Sequence, residues 1–258
     1  AIGSGSDDPR VYHAVSLALH AANVLLLHRL ARRWGASAIA AFLGAGLYAA
    51  SRLHFPALFA ATSIGELLAL AGLLSALLLE APGPRLALAG VLMALALSAK
   101  ESVMLVPLAA VFVPAPGESL RARARTLAPL LAGGVLLGAG LLWNGVGSGR
   151  LGGQAYAVSF GANLLENVAR LFGWSVDLLD PIPDLHASTV GVAHIVLPVL
   201  ALVLSVLAVR KGSAPLLRAG TVWWWLAVLP VLPLPGRTYL HYLYIPLAGA
   251  ALVLGHEV

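Results

Sequence analysis

The chain contains no cysteine and little charge. That absence excludes disulfides, thiolate metal sites and thiol nucleophiles. Only 10% of its 258 residues are Asp, Glu, Lys or Arg, against about 25% in an ordinary soluble domain. A water-soluble domain this apolar could not cover its own surface with polar groups. Acid is scarcer than base, 11 residues against 16. The resulting pI of about 10 raises nucleic acid as a partner. The arginines, however, lie in short separate loops and form no basic stripe or aromatic-interleaved patch, so no nucleic acid is expected. The chain opens on Ala1-Ile2-Gly3 without a signal-peptide pattern and stops at Val258 just after an apolar run. It is therefore expected to be part of a longer polypeptide.

What is present is long apolar sequence: 60% hydrophobic residues and a mean hydropathy of +0.90. A helix crossing ~30 Å of hydrocarbon needs about 20 such residues. The sequence predicts an all-α, polytopic membrane bundle in one domain over 1–258. About nine spans are expected: 11–31, 36–53, 60–79, 86–99, 102–114, 127–143, 189–209, 219–234 and 238–255. The fourth and fifth are short and read either as full crossings or as a broken hairpin. Helix is the expected state because backbone polar groups must be satisfied inside lipid. Small residues at Ala41/Ala45/Ala49 and Gly134/Gly138 have the spacing that lets helices approach closely.

The basic residues alternate sides. Arg29, Arg32, Arg33, Arg85, Arg121, Arg123, Arg125, Arg210, Lys211 and Arg218 fall in one set of connections with only Glu80, Glu118 and Glu257, ten bases against three acids, a net +7. The other connections hold six bases and eight acids, a net −2. Cytoplasmic loops retain Lys and Arg, so the first set is expected inside and the N-terminus outside. This is an integral membrane protein by expectation, with lipid as its first partner and a bacterial inner membrane as its place. Within the outer connection 150–188, residues 156–179 read as an amphipathic helix. Leu164, Val168, Leu171 and Ser175 share a face, with Phe172 and Trp174 as interfacial anchors. Trp223-Trp224-Trp225 reads as an aromatic belt.

Ionisable groups at the edge of lipid are costly and mark candidate sites. His13 and His20 share a helix face but lack a carboxylate nearby in sequence, and no metal site is assigned. Lys100-Glu101 lies between two short apolar runs. It reads either as a phosphate holder with a carboxylate that orients substrate, or as a local charge pair closing a hairpin. Arg237 and His241 stand at i and i+4, beside Tyr239, Tyr242 and Tyr244. They read as a cationic mouth for a phosphate or as a belt with a snorkelling arginine. Glu66, about two turns below the outer end of its span, invites a partner among His54, Arg52 and Lys100. The glycines of Gly145–Gly153 follow a span rather than join a strand to a helix, which excludes a nucleotide-binding loop.

Four segments, in order, resemble the C-type (GT-C) membrane glycosyltransferases, closest to the tetratricopeptide-fused, protein O-mannosyltransferase-like group. Tyr12–Asn23 resembles a YHxxNxxLHxxN span, with Ser16 in place of Asn. Leu53-His54-Phe55-Pro56 resembles an LHP turn. Ser98–Pro107 resembles an SKES…LP segment, with Ala99 inserted. Tyr242–Gly249 resembles RYLYLPxxG, with His241 at the place of the family's phosphate-contacting Arg. The resemblance implies transfer of a sugar from a polyprenyl-phosphate donor to an acceptor on the outer face. Lys100, Glu101, Arg237, His241, Tyr244, His54 and Glu66 are then the substrate-binding candidates. The family's catalytic carboxylate sits in a loop before the Tyr12 span, and the role is not carried onto Asp7-Asp8. No cofactor is assigned, although a divalent metal is compatible with ligands from that missing loop. The chain thus reads as a fragment or degenerate member. The alternative is a non-catalytic membrane scaffold packed against other membrane subunits, and a transporter is disfavoured because no inverted repeat is evident.

Overall fold

A computed structural model describes residues 9–79, 84–115, 117–147, 159–176, 193–210, 215–235 and 238–254. Among them every regular element is helical and no strand occurs. Helix α1 (Pro9–Arg33) starts on a proline, whose missing N–H costs nothing at a helix start. It ends with Arg32 and Arg33, whose charge complements the helix dipole. Gly35, at φ 98°, turns the chain where a side chain would be strained. Helix α2 (Ala38–Ala50) begins at Ser37, whose hydroxyl accepts from the Ala40 N–H at 3.0 Å. It then breaks at Ser51 into a 3-10 turn (Arg52–His54) and the short helix α3 (Phe55–Phe59), with a 48° bend.

Helices α4 (Ile64–Leu79) and α5 (Pro84–Ala99) form an antiparallel hairpin. Small residues set their separation: a Cβ on Gly72 would lie 2.9 Å from Ala96 Cβ, and one on Gly65 would lie 2.8 Å from the Ala99 carbonyl oxygen. Two 3-10 stretches follow, Glu101–Val103 and Val106–Phe112. Next come α6 (Leu120–Gly147), α7 (Ala162–Ser175), α8 (Ala193–Arg210), α9 (Pro215–Val228), a 3-10 turn (Leu240–Leu243) and α10 (Tyr244–Leu254). Helices α9 and α10 meet backbone to backbone. A Cβ on Gly220 would lie 2.5 Å from the Gly249 carbonyl oxygen, and one on Gly249 2.7 Å from that of Gly220.

Chain direction sorts the charges. An Arg33 guanidinium N–H reaches the Leu78 carbonyl, so the C-terminal ends of α1 and α4 lie together. Leu216, in the first turn of α9, lines a small cavity with Ala31 and Ala36, which brings the start of α9 to the same end. Arg32, Arg33, Arg85 and Arg218 thus belong to one end of the bundle. The 3-10 turns carrying His54, Glu101 and His241 belong to the other.

The all-helical expectation holds, but the count of nine spans does not carry over. Among the described residues two helices are long and apolar enough to cross a membrane, Pro9–Arg33 and Ala61–Leu79, or three if the bent pair Ala38–Ala50 with Arg52–Phe59 is one span. The reason is backbone continuity. The apolar runs are cut at Ser51, Lys100 and Tyr239–Leu243, leaving α5 at 16 residues and α10 at 11. At 1.5 Å per residue these reach about 24 and 17 Å, short of ~30 Å. The fifth expected span is not α-helical at all: 101–103 and 106–112 are 3-10, with Pro107 in the first turn of the longer stretch.

Two aromatic expectations are also corrected. Trp174 is buried and Phe172 packs on the core, so α7 turns both inward rather than anchoring them at an interface. Trp223 and Trp224 are likewise buried; the indole N–H of Trp223 donates to the Ile245 carbonyl (3.0 Å) and that of Trp224 to the Ser175 hydroxyl (3.1 Å). The face of α7 that carries Val168 and Leu171 is buried in the protein as well. What stays outside is apolar: Ile39 and Phe42 on α2, Leu88, Val91 and Leu95 on α5, and Ile195, Val199, Leu202 and Leu207 on α8. Soluble monomers rarely carry apolar surface on this scale, and together with the apolar helices it indicates membrane association.

Candidate functional site

Helix α1 buries a polar stripe. Ser16, His20 and Asn23, at i, i+4 and i+7, face the bundle from the mainly apolar middle of the helix. The Ala49 carbonyl, 3.3 Å from His20 Nε2, can only accept, so Nε2 carries the hydrogen. His20 Nδ1 then accepts from the Tyr244 hydroxyl at 2.9 Å. That hydroxyl accepts in turn from the Asn23 amide at 3.1 Å, and the same amide donates to the Leu67 carbonyl at 2.9 Å. The Tyr48 hydroxyl closes the cluster by donating to the Tyr244 carbonyl at 3.0 Å.

His54 sits inside this box, fully buried. Its ring lies 4.4 Å from Tyr48, 4.8 Å from Tyr244 and 5.1 Å from His20, centre to centre. The Tyr48 backbone is close, but neither ring nitrogen makes a hydrogen bond of acceptable length and direction.

The second half of the site is an ion pair. Lys100, in extended conformation between α5 and the next 3-10 turn, places Nζ 3.1 Å from Glu66 Oε1. The contact has ion-pair length without hydrogen-bond alignment, and neither carboxylate oxygen has a hydrogen-bond partner. The two sides differ in access: the Lys100 side chain is 21% exposed and that of Glu66 2%. The Lys100 ammonium also lies 4.8 Å from the centre of the Tyr242 ring, a cation–π arrangement. His241 stacks on Tyr239 (5.4 Å, 11° between planes), touches Tyr242 (4.4 Å) and lies within range of the Lys100 charge.

The candidates from the sequence thus divide. Lys100, Glu66, His54, Tyr244 and His241 come to one end of the bundle. Glu101 does not pair with Lys100; it is exposed, and its charge acts on Lys100 and Glu66 from the side. Lys100 is the one of Glu66's three candidate partners that forms an ion pair with it, because the α4–α5 hairpin sets the first turn of α4 against the end of α5. Arg237 lies outside the described residues. Its helical relation to His241 does not apply from 238 onward, since α10 begins only at Tyr244 and Leu240–Leu243 is 3-10.

Asn23 and Tyr48 were not among the candidates. The i, i+4, i+7 spacing of Ser16, His20 and Asn23 is a signal that could have found the first. Tyr48 reads as one more apolar residue of its span, and only its hydroxyl's partner reveals it. A small apolar cavity lies near the opposite, arginine-bearing end, between α1, α2, α9 and α10, and takes no part in this centre. Among the described residues no three His, Asp or Glu gather in a way that could hold a metal, so no step through a metal is derived. Comparison with protein-family models, curated proteins and solved structures finds no match.

Proposed function

We propose that this chain is a membrane-embedded glycosyltransferase-like protein acting on a polyprenyl-phosphate-linked sugar at the outer face of a bacterial inner membrane, with its N-terminus outside. One observation carries the reading. The four segments that resemble the GT-C enzymes, far apart in the chain, meet in one polar centre. Tyr12–Asn23 supplies His20 and Asn23, and Leu53–Pro56 supplies His54. Ser98–Pro107 supplies Lys100, and Tyr242–Gly249 supplies Tyr242 and Tyr244. In this reading Lys100 holds the donor phosphate with His241 beside it, and Arg237 is assigned to the same phosphate from the sequence alone. Glu66 keeps the lysine charged and positioned, and the His20–Asn23–Tyr48–Tyr244 network holds the supporting helices in register. In this reading the apolar segments form one membrane-embedded bundle, with the short ones forming a broken hairpin and partial crossings. No residue of this chain is assigned as the base.

A second reading has its own support. Lys100 is already neutralised by a buried carboxylate, as a scaffold or accessory subunit would keep it. The test is sugar transfer from a polyprenyl-phosphate donor by the full-length gene product in proteoliposomes, with Lys100→Ala and Arg237→Ala compared. Transfer by wild type, reduced at least tenfold in both variants, supports the enzyme. Transfer unchanged in both removes the phosphate roles. No transfer by wild type leaves the scaffold.

A further inference from the structure

We propose that an anionic headgroup captured by Lys100 displaces Glu66 from the ion pair, and that Glu66 then takes up one proton from water. The inference rests on the reading of Lys100 as the phosphate holder and adds how that site is coupled to pH.

The asymmetry of the pair motivates it. Lys100 is reachable from outside and Glu66 is not. The lysine stands on an extended residue at a break between helices, and its flexible four-carbon stem carries the ammonium over the Tyr242 ring. It can turn toward a ligand without moving a helix. Glu66 cannot follow, because it sits in the first turn of α4 and is closed in by the α4–α5 hairpin. Its two oxygens accept no hydrogen bond from any described group, so the lysine charge is what offsets its own. A carboxylate left buried without that offset neutralises by binding a proton, because the unpaired charge is far costlier than the neutral acid.

The groups that face Glu66 from the surrounding elements do not substitute for the lysine. Glu101, from the following 3-10 turn, adds like charge. Tyr48 of α2 faces it, but its hydroxyl is committed to the Tyr244 carbonyl. His20 of α1 and Tyr244 of α10 are bonded to each other, and the Asn23 amide hydrogens go to Tyr244 and Leu67. The charge balance is simple. Before binding the site holds Lys⁺ and Glu⁻; afterwards it holds Lys⁺ with the anion and a neutral Glu66, one proton richer. Binding therefore strengthens as pH falls.

Isothermal titration calorimetry on the full chain in nanodiscs tests this. The probe is geranyl sulfate, whose headgroup does not titrate near neutrality. Repeating the titration at pH 7.5 in two buffers of different ionisation enthalpy counts the protons. The expected result is one proton taken up per ligand, with Kd rising about tenfold per pH unit. Glu66→Gln binds with no uptake and no pH dependence, and Lys100→Met loses binding. Wild type that binds without proton uptake, by holding both anions with one ammonium, overturns the inference and leaves the phosphate role standing. Wild type that binds neither geranyl sulfate nor geranyl phosphate overturns both. The two-buffer count needs only the wild-type chain, so a poorly folding variant does not spoil it.

Discussion

Replacing Lys100 by Met removes one charge from a pair whose other member stays buried. At 3.1 Å and an effective dielectric constant of about 20, the Coulomb attraction is about 5 kcal/mol. Desolvation of the lysine offsets part of it, and solvent reaches that side of the pair. The net cost of Lys100→Met is therefore expected at the low end of the range for broken buried pairs, about 3 kcal/mol. Removing the carboxylate as well, in Lys100→Met with Glu66→Leu, leaves two apolar side chains of similar bulk and no stranded charge. That double variant should recover at least half of the loss. The assay is reversible unfolding in bicelles followed by tryptophan fluorescence, which the buried Trp223 and Trp224 make sensitive to helix separation. The reasoning is refuted if Lys100→Met is neutral, or if the double variant is no more stable than the single one. Either result would mean that Glu66 is compensated elsewhere or hydrated.

Gly249→Val places side-chain atoms where α9 backbone now lies, and should cost about 3 kcal/mol or more in the same assay. Gly46→Ala, an exposed helix position with nothing within 4 Å, should instead stabilise by about 0.5–1 kcal/mol. Asn167→Leu strands the Leu234 carbonyl, which its amide now serves at 3.0 Å, leaves the Leu232 carbonyl only the longer bond from the Asn163 amide (3.3 Å), and removes the acceptor of the Thr238 hydroxyl. A loss of about 2–3 kcal/mol is expected, together with faster hydrogen exchange across 229–235. The absence of native cysteine makes topology testable: Arg237→Cys should react with an impermeant maleimide from outside and Arg123→Cys should not. The reverse labelling would invert the map and move Lys100 to the inner face.

How legible the site was depends on the residue. Lys100, His54 and Tyr244 stand out because polar groups in apolar sequence are conspicuous, whatever they touch. Their partners are less visible, and for Glu66 the sequence narrows the choice only to His54, Arg52 and Lys100. Glu66 and Lys100 are separated by a whole hairpin, so their pairing depends on where that hairpin turns and on how closely Gly65 and Gly72 let it close. The adjacency of Lys100 and Glu101 in sequence points the other way, since neighbouring residues diverge when the chain passes from extended backbone into a 3-10 turn. The tryptophans mislead for a related reason. A Trp run at a span end fits an interfacial belt and a core equally well, and the carbonyl or hydroxyl that accepts each indole N–H lies on another element.

Hydropathy, charge sidedness and the lack of cysteine are properties of composition and order. They settle by themselves that the chain is helical and apolar, and which connections carry the arginines. Helix length is a different matter. Whether an apolar run continues as one α-helix or breaks at Ser51 or Lys100 depends on what the freed carbonyls and side chains find across the bundle. Only the folded arrangement determines that, and with it which charges meet. The sequence marks the polar residues because burying them is costly; the tertiary structure selects their partners because those partners lie on other helices.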